Sequence, residues 1–325
     1  MSGTLSYFEA IVIGAMQGIT ELFPVSSLGH SVLLPAVIGG QWATDLNVSA
    51  PESPYLAFIV GLHVATAAAL LLFYWRDWVR IIGGFLTSIR YRRIRSANER
   101  LAWLIVAATI PVGITGLLLE HLFRTTLGRP VPAASFLLAN GVILLLGERL
   151  RRRAPTADTA ATAAGADPGP PSKPAVEPTD DLDAGMDRIN ADERSDARLT
   201  RLTLARGVLV GSAQILALLP GISRSGVTMV AGLAQGLSHR DAARFSFLLA
   251  TPVILAAGVL KLPDLAGPLG AGITGQVLAG SLASFAAAYL SVRFLERYFR
   301  TRTLTPFAIY SLIVGAGSLL WLTLR

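Results

Sequence analysis

Two short stretches of the chain concentrate the residue types that could act on a phosphate group. The first contains an amide, a carboxylate, two hydroxyls and an imidazole: Gln17, Glu21, Ser26, Ser27 and His30. The second contains a guanidinium and three hydroxyls: Ser223, Arg224, Ser225 and Thr228. Serine becomes a nucleophile when a base takes its proton, and arginine offers a planar fork of donors that suits phosphate. Together the two stretches hold a nucleophile, bases and an anion-binding group.

In the first stretch, the spacing of a serine and a histidine permits two interpretations. If a helix begins here, Ser27 and His30 are three residues apart and share a face, so the imidazole could activate the hydroxyl. The alternative is an N-cap serine beside a hydrogen-bonded histidine, with no chemical role. On these residues alone, the structural alternative is favoured.

Gln17 and Glu21 are four residues apart and therefore lie on the same face of a helix. A carboxylate with a neighbouring amide oxygen could hold a hard divalent cation together with phosphate oxygens. The same pair could instead position a water molecule or orient His30. We expect His63, inside an apolar run, to be an interior histidine with satisfied hydrogen bonds.

The second stretch predicts an oxyanion cradle. Arg224 lies within an apolar region and is flanked by hydroxyls, and an ionisable group at membrane depth usually marks a functional site. If a helix begins near Ser225, its free N–H groups point at the same anion. The motif alone has low specificity, because serine and glycine also simply interrupt helices.

The elements that position these residues belong to a membrane protein. Of 325 residues, 52% are hydrophobic and 15% charged, and the mean hydropathy is +0.55. Six runs lack Asp, Glu, Lys and Arg and are each close to the ~20 residues that cross a bilayer as a helix. They are residues 54–75, 101–119, 130–147, 245–260, 265–292 and 303–324. The basic residues lie mostly between these runs, which indicates membrane topology and disfavours nucleic-acid binding. The absence of cysteine excludes thiolate chemistry.

Two further apolar stretches, residues 7–38 and 204–237, are interrupted by proline and glycine. Each half is about 12–16 residues, too short to cross a bilayer, and suits one arm of a re-entrant hairpin. Gly-Ala-Met-Gln at 14–17 resembles Gly-Ser-Ala-Gln at 211–214, and each hairpin precedes three spans. We therefore predict an all-α integral membrane fold with six transmembrane helices plus two re-entrant helical hairpins, related as an inverted-topology repeat.

The predicted organisation has a first repeat at 1–150, a linker at 151–203 and a second repeat at 204–325. Basic loops at 76–100, 149–206 and 293–302 place those segments in the cytoplasm by the positive-inside rule. Both termini then lie outside, and the hairpins enter from opposite faces. Residues 154–185 are rich in Ala, Pro, Asp and Thr, which predicts a disordered cytoplasmic linker.

Taken together, residues 17–21, 24–30 and 220–228 resemble the signatures of a known family. They match (E/Q)xxxE, PVSSxGH and PGxSRSxxT, which are the motifs of the bacterial undecaprenyl-diphosphatases, the bacitracin-resistance family. All three occur in order and in their expected halves. Residues 306–310 also resemble the family's last span, and the resemblance covers nearly the whole chain apart from the linker.

The resemblance implies hydrolysis of undecaprenyl diphosphate to the monophosphate and phosphate, which recycles the carrier lipid of peptidoglycan synthesis. It also implies an inner-membrane enzyme with a site open to the periplasm and a requirement for a divalent cation, Mg²⁺ or Ca²⁺. Gln17 stands where many members have glutamate, which leaves one carboxylate fewer for metal binding.

From these observations we expect Ser27 to be the nucleophile, with His30 or Glu21 as base. We expect the phosphates to be held by Arg224, Ser223, Ser225, Thr228 and Ser26, and a metal by Glu21 and Gln17. Alternative mechanisms use His30 as nucleophile or a metal-activated water. The rival function is a polyprenyl-phosphate transporter or flippase of the same architecture. The bilayer and a polyprenyl diphosphate are the expected partners, and a homodimer stays open.

Overall fold

The computed structural model describes residues 5–46, 54–122, 126–153, 195–196, 198–266 and 272–324, and these residues form helices and turns but no strand. Among the described residues, the first half contains seven α-helices: α1 (Tyr7–Thr20), α2 (Ser27–Ile38), α3 (Gly40–Asp45), α4 (Pro54–Phe73), α5 (Trp75–Tyr91), α6 (Ala97–Leu122) and α7 (Pro130–Arg153). The second half contains α8 (Leu204–Ser212), a 3₁₀ helix (Ala213–Leu218), α9 (Arg224–Ala234), α10 (His239–Ala266), α11 (Thr274–Tyr298) and α12 (Thr305–Leu324).

Five of these helices, α6, α7, α10, α11 and α12, are long and apolar enough to cross a membrane. A sixth span results if α4 and α5, which are bent by 85° at their junction, are counted together. Large apolar side chains such as Leu118, Leu282 and Ile313 point away from the protein interior, as lipid-facing residues do. The prediction of an all-helical, multi-pass membrane protein is therefore confirmed.

Helix α5 was not expected, because residues 76–100 were interpreted only as a basic loop. Asp77, Ile81 and Ser88 are buried on one side of this helix, whereas the large side chains of Val79 and Ile82 are exposed. The Trp103 indole on α6 donates to Ser88 Oγ at 2.9 Å and fixes the buried side. The helix is amphipathic. Because arginines are interspersed among its apolar residues, its helical periodicity was not recognised in the sequence.

Both chain interruptions end in the same local structure. Helix α2 begins at Ser27 with Ser26 as N-cap, and α9 begins at Arg224 with Ser223 as N-cap. Each N-cap hydroxyl accepts the backbone N–H three residues later, at 3.2 Å in both cases. A serine N-cap satisfies one of the free N–H groups of a helix start, which explains why a helix resumes at these positions.

The helix preceding each interruption packs against the other half of the chain. Helix α1 lies on α11 so closely that a Cβ at Gly14 would be 2.2 Å from the Gly280 carbonyl oxygen. Helix α8 lies on α6, where a Cβ at Gly211 would be 2.2 Å from the Ala108 carbonyl oxygen. Glycine is required at both contacts, because any side chain would collide with backbone. Each half therefore contributes a helix that packs against the other half, and both interruptions lie in the same interior region of the protein.

Most of the predicted linker, residues 154–194, lies outside the described residues, and so does the expectation of disorder there. The linker's described ends are ordered: α7 continues to Arg153, and Asp196 is buried. Its carboxylate accepts from Arg244 at 2.8 Å, and Arg244 also donates to Asp77 at 3.0 Å. Burial raises the pKa of the Asp196 carboxyl, and the Arg244 charge opposes that rise. The segment that precedes the second half is therefore fixed by a buried counter-charge.

Candidate active site

A cavity of about 180 Å³ lies between the two interruptions and is lined by residues from both halves. Its polar lining consists of Thr20, Glu21, Ser26, Ser27, His63, Ser223 and Arg224. Its apolar lining consists of Leu28, Ala217, Ile222, Val253, Ile254 and Ala257. The cavity thus combines one charged, hydroxyl-rich wall with one hydrocarbon wall.

The Glu21 carboxylate is at the centre of the polar wall and connects the two halves. Its Oε1 accepts a hydrogen bond from Arg224 Nη2 at 2.7 Å. Its Oε2 accepts a hydrogen bond from the Ser27 hydroxyl. Ser27 and Arg224, 197 positions apart in the chain, therefore contact the two oxygens of a single buried carboxylate. One phosphate group placed beside Glu21 would be within reach of both side chains.

Ser27 has the features of a nucleophile. Its hydroxyl proton already points at a carboxylate, which is the arrangement a general base requires. As the first residue of α2, Ser27 also carries a backbone N–H that has no acceptor within the helix. Negative charge that develops near this helix start is favoured by the free N–H groups and the helix dipole.

Arg224 retains free donor capacity. Nη2 is used by Glu21, whereas Nη1 is buried and has no hydrogen-bond partner within the described part of the chain. An unpaired buried donor costs stability unless something binds it. Arg224 is also the first residue of α9, so its guanidinium and the start of a second helix are in one place. This combination suits an oxyanion.

His30 does not lie beside Ser27 Oγ. Its Nδ1 is 2.7 Å from the Ser26 carbonyl oxygen, and its Nε2 is 2.8 Å from the Tyr310 hydroxyl, with the two rings stacked. Both ring nitrogens are therefore occupied away from the cavity. Of the two expected bases, the structure brings Glu21 to the Ser27 hydroxyl.

The remaining predicted phosphate ligands divide into two groups. Ser26 and Ser223 line the cavity, but both hydroxyls already cap helices, and Ser26 Oγ also accepts the Gly221 N–H at 3.2 Å. Ser225 and Thr228 are not among the lining residues. Thr228 Oγ1 donates back to the Arg224 carbonyl at 2.7 Å, and Ser225 Oγ is 3.1 Å from Ser223 Oγ. These hydroxyls shape the start of α9.

Asn140 on α7 joins the two interruptions and was not recognised in the sequence. It is fully buried, and its Oδ1 accepts the Ser223 N–H at 3.0 Å. Its Nδ2 donates to the Pro24 carbonyl at 3.0 Å and lies 3.2 Å from Ser311 Oγ. An asparagine within a largely apolar run was the available signal. One side chain thereby fixes the distance between the two helix starts.

The expected metal ligands, Glu21 and Gln17, face N–H and O–H donors instead of an open oxygen cage. Arg224, Ser27 and the Gln17 amide nitrogen, which is 3.1 Å from Glu21 Oε2, all donate to the one carboxylate. The described residues contain no cluster of three His, Cys, Asp or Glu side chains suited to a metal. Hard cations need several oxygen ligands. These residues therefore do not fit a protein-held cation, and dependence on a divalent cation stays a prediction.

Comparison with known proteins gives the family. A profile described as bacitracin resistance protein BacA matches residues 10–317. An undecaprenyl-diphosphatase from Mycolicibacterium paratuberculosis is 67% identical, with 100% of each chain covered. Undecaprenyl-diphosphatase 1 from Frankia casuarinae is 54% identical over 96% of this chain and 97% of its own, and undecaprenyl-diphosphatase 2 from Chromobacterium violaceum is 39% identical over 98% and 99%. With this match along nearly its whole length, the chain belongs to the bacitracin resistance protein BacA family.

Proposed function

We propose that the chain is an undecaprenyl-diphosphate phosphatase, which releases phosphate from the lipid diphosphate and returns the lipid monophosphate for reuse in cell-wall synthesis. The observation that carries this proposal is the single carboxylate of Glu21 bonded to both Ser27 and Arg224. It supplies a nucleophile, a base and an anion-binding group at one wall of one cavity. The relatives named undecaprenyl-diphosphatase support the same reaction.

In the first step the terminal phosphate of the substrate binds the Arg224 guanidinium and the free N–H groups at the starts of α2 and α9. Ser27 Oγ attacks the terminal phosphorus, and its proton passes to Glu21. The Ser27 oxygen–phosphorus bond forms as the bond between phosphorus and the bridging oxygen breaks. The lipid monophosphate leaves on that bridging oxygen and takes the proton from Glu21.

In the second step water attacks the phosphorylated Ser27, and Glu21 takes a proton from that water. The serine oxygen–phosphorus bond breaks, phosphate is released, and the proton returns from Glu21 to Ser27 Oγ. Arg224 stabilises the charge on the phosphoryl oxygens in both steps. The apolar wall, with Leu28, Val253 and Ile254, provides a dry surface for the first isoprene carbons of the lipid.

We also infer that α1 with α2, and α8 with α9, form two re-entrant hairpins among six membrane crossings in an inverted repeat. Each of these helices is 9–14 residues long, too short to cross a bilayer. The matched N-caps at Ser26 and Ser223, and the reciprocal packing of α1 on α11 and α8 on α6, support this arrangement. A broken backbone at this depth needs a protein-covered or wet cavity, which the site provides.

We infer the orientation in the inner membrane from the arginine-rich segments, which we place in the cytoplasm. In this orientation both termini and the open side of the site face the periplasm. Single cysteines test this, because the chain has none. Asp45→Cys and Arg325→Cys should react with an impermeant maleimide in intact cells, whereas Gly165→Cys should react only after lysis. Labelling of position 165 alone would reverse the orientation.

The rival function, a flippase or transporter for a polyprenyl phosphate, shares the inverted-repeat argument. Transport alone needs no nucleophile next to a base, which is why the Ser27–Glu21 hydrogen bond favours hydrolysis. The purified protein in detergent should release inorganic phosphate from C55 diphosphate, and assays with and without EDTA would test the cation. Lipid movement in vesicles without phosphate release would support the rival. Light scattering of the same sample tests whether the protein is a monomer or a homodimer.

A further inference from the structure

His63 on α4 lies at the edge of the catalytic carboxylate, although the sequence suggested only an interior histidine. Its Nε2 is 3.2 Å from Gln17 Nε2 and 3.6 Å from Glu21 Oε2. The side chain lines the cavity and is 28% exposed. Neither hydrolytic step described above uses this residue, so its position calls for a separate explanation.

The hydrogen bonds around His63 indicate which ring nitrogen accepts and which donates. A carboxylate oxygen accepts only, so the Gln17 atom 3.1 Å from Glu21 Oε2 must be the amide nitrogen. That same nitrogen is 3.2 Å from His63 Nε2, which must therefore be an acceptor. The other ring nitrogen, Nδ1, is 2.9 Å from the Ile59 carbonyl oxygen and must carry the hydrogen. In this arrangement Nε2 accepts from Gln17 and Nδ1 donates to the Ile59 carbonyl.

The consequence for Gln17 is a fixed amide orientation. Its two N–H groups are divided between His63 Nε2 and Glu21 Oε2, and its Oε1 is turned away and is buried without a partner among the described residues. Rotating the amide by 180° would bring Oε1 against the carboxylate and leave His63 Nε2 without a donor. Position 17 is therefore a hydrogen-bond donor to the carboxylate, and the histidine holds it in that state.

We propose that His63 is a positioning residue for Glu21, acting through Gln17. The histidine accepts one Gln17 N–H, and this keeps the other N–H on Oε2, the oxygen that faces the Ser27 hydroxyl. Without the acceptor, one Gln17 N–H has no partner and the amide is held only by Glu21, so the N–H on Oε2 is less firmly placed beside the base. This inference rests on the proposed role of Glu21 as the base for Ser27.

Two substitutions at this position separate positioning from other roles. His63→Leu removes the acceptor at similar size and should lower kcat by about ten- to a hundredfold, with KM changed by less than about twofold. His63→Gln can place an amide oxygen near the former Nε2 and should keep kcat within about threefold of wild type. Melting temperatures in detergent show whether each variant folds. His63→Met, whose thioether is a weak acceptor, replaces the leucine variant if that variant does not fold.

A second pair of variants tests the route through Gln17. If His63 acts through that amide, Gln17→Leu combined with His63→Leu should be no more than about twofold worse than Gln17→Leu alone. The proposal would be overturned by wild-type kcat in both His63→Leu and His63→Met. It would also be overturned by equal losses of kcat in His63→Gln and His63→Leu, or by losses in the double variant that are the full product of the His63→Leu and Gln17→Leu losses. Failure of the proposed function has a different result, namely an active Ser27→Ala enzyme or no phosphate release by wild type.

Discussion

Replacing Ser27 with alanine should reduce phosphate release from C55 diphosphate by at least about a thousandfold, because the proposed nucleophile is removed. Binding should persist, since the alanine variant retains Arg224 and the helix start at residue 27. Phosphate release measured together with lipid retention in detergent would show both effects.

Ser31→Ala is the matched control for this experiment. Ser31 is on the same helix four residues later, is also buried and is not among the residues that line the cavity. This variant should keep activity within about threefold of wild type, since it deletes one buried hydroxyl remote from the phosphate. A Ser27→Ala enzyme with more than about a tenth of wild-type activity would instead indicate direct attack by water.

Replacing Arg224 with lysine should lower kcat by about a hundredfold or more, although the positive charge is kept. Arg224 binds Glu21 through Nη2, and its Nη1 has no hydrogen-bond partner among the described residues. A lysine ammonium is a single point charge and cannot serve the carboxylate and a phosphoryl oxygen in this forked geometry. The loss should appear in kcat, because the proposed role of Arg224 is to stabilise the transition-state charge that is spread over the phosphoryl oxygens.

Arg198→Lys is the matched control. Arg198 also makes a two-pronged contact, with Nε and Nη2 at 2.7 and 2.8 Å from the Asp241 carboxylate, but it is not among the cavity-lining residues. Its replacement should leave kcat within about twofold, since a partly exposed ion pair contributes little. Equal kcat in Arg224→Lys and wild type would remove Arg224 from phosphate binding.

The parts of the site that could be predicted from the sequence are those encoded locally. Proline and glycine mark the two interruptions, and Ser26 and Ser223 mark the helix starts that follow them. Glu21 and Arg224 were identified because charge at membrane depth is costly. Only the inverted-repeat interpretation predicted that these two side chains lie close together, because 203 positions separate them in the chain.

The parts that could not be predicted depend on tertiary packing. The three-residue spacing of Ser27 and His30 is compatible with a hydrogen bond, yet Tyr310, 280 positions away, holds the imidazole elsewhere. His63 and Asn140 are polar residues within apolar runs, and only the packing of α4 and α7 brings them to Gln17 and Ser223. Sequence periodicity gives the face of a helix but not its neighbours.

The central claim is that the two chain interruptions build one catalytic site, and a double-mutant cycle between Ser27→Ala and Arg224→Ala tests it most directly. Release of ³²P-phosphate from labelled C55 diphosphate would measure the residual rates of both single variants and the double variant. Residues that act as a unit give strongly non-additive losses, so the double variant should be within about threefold of the poorer single variant. If the two losses instead multiply in full, Ser27 and Arg224 act independently, and the shared site at Glu21 is contradicted.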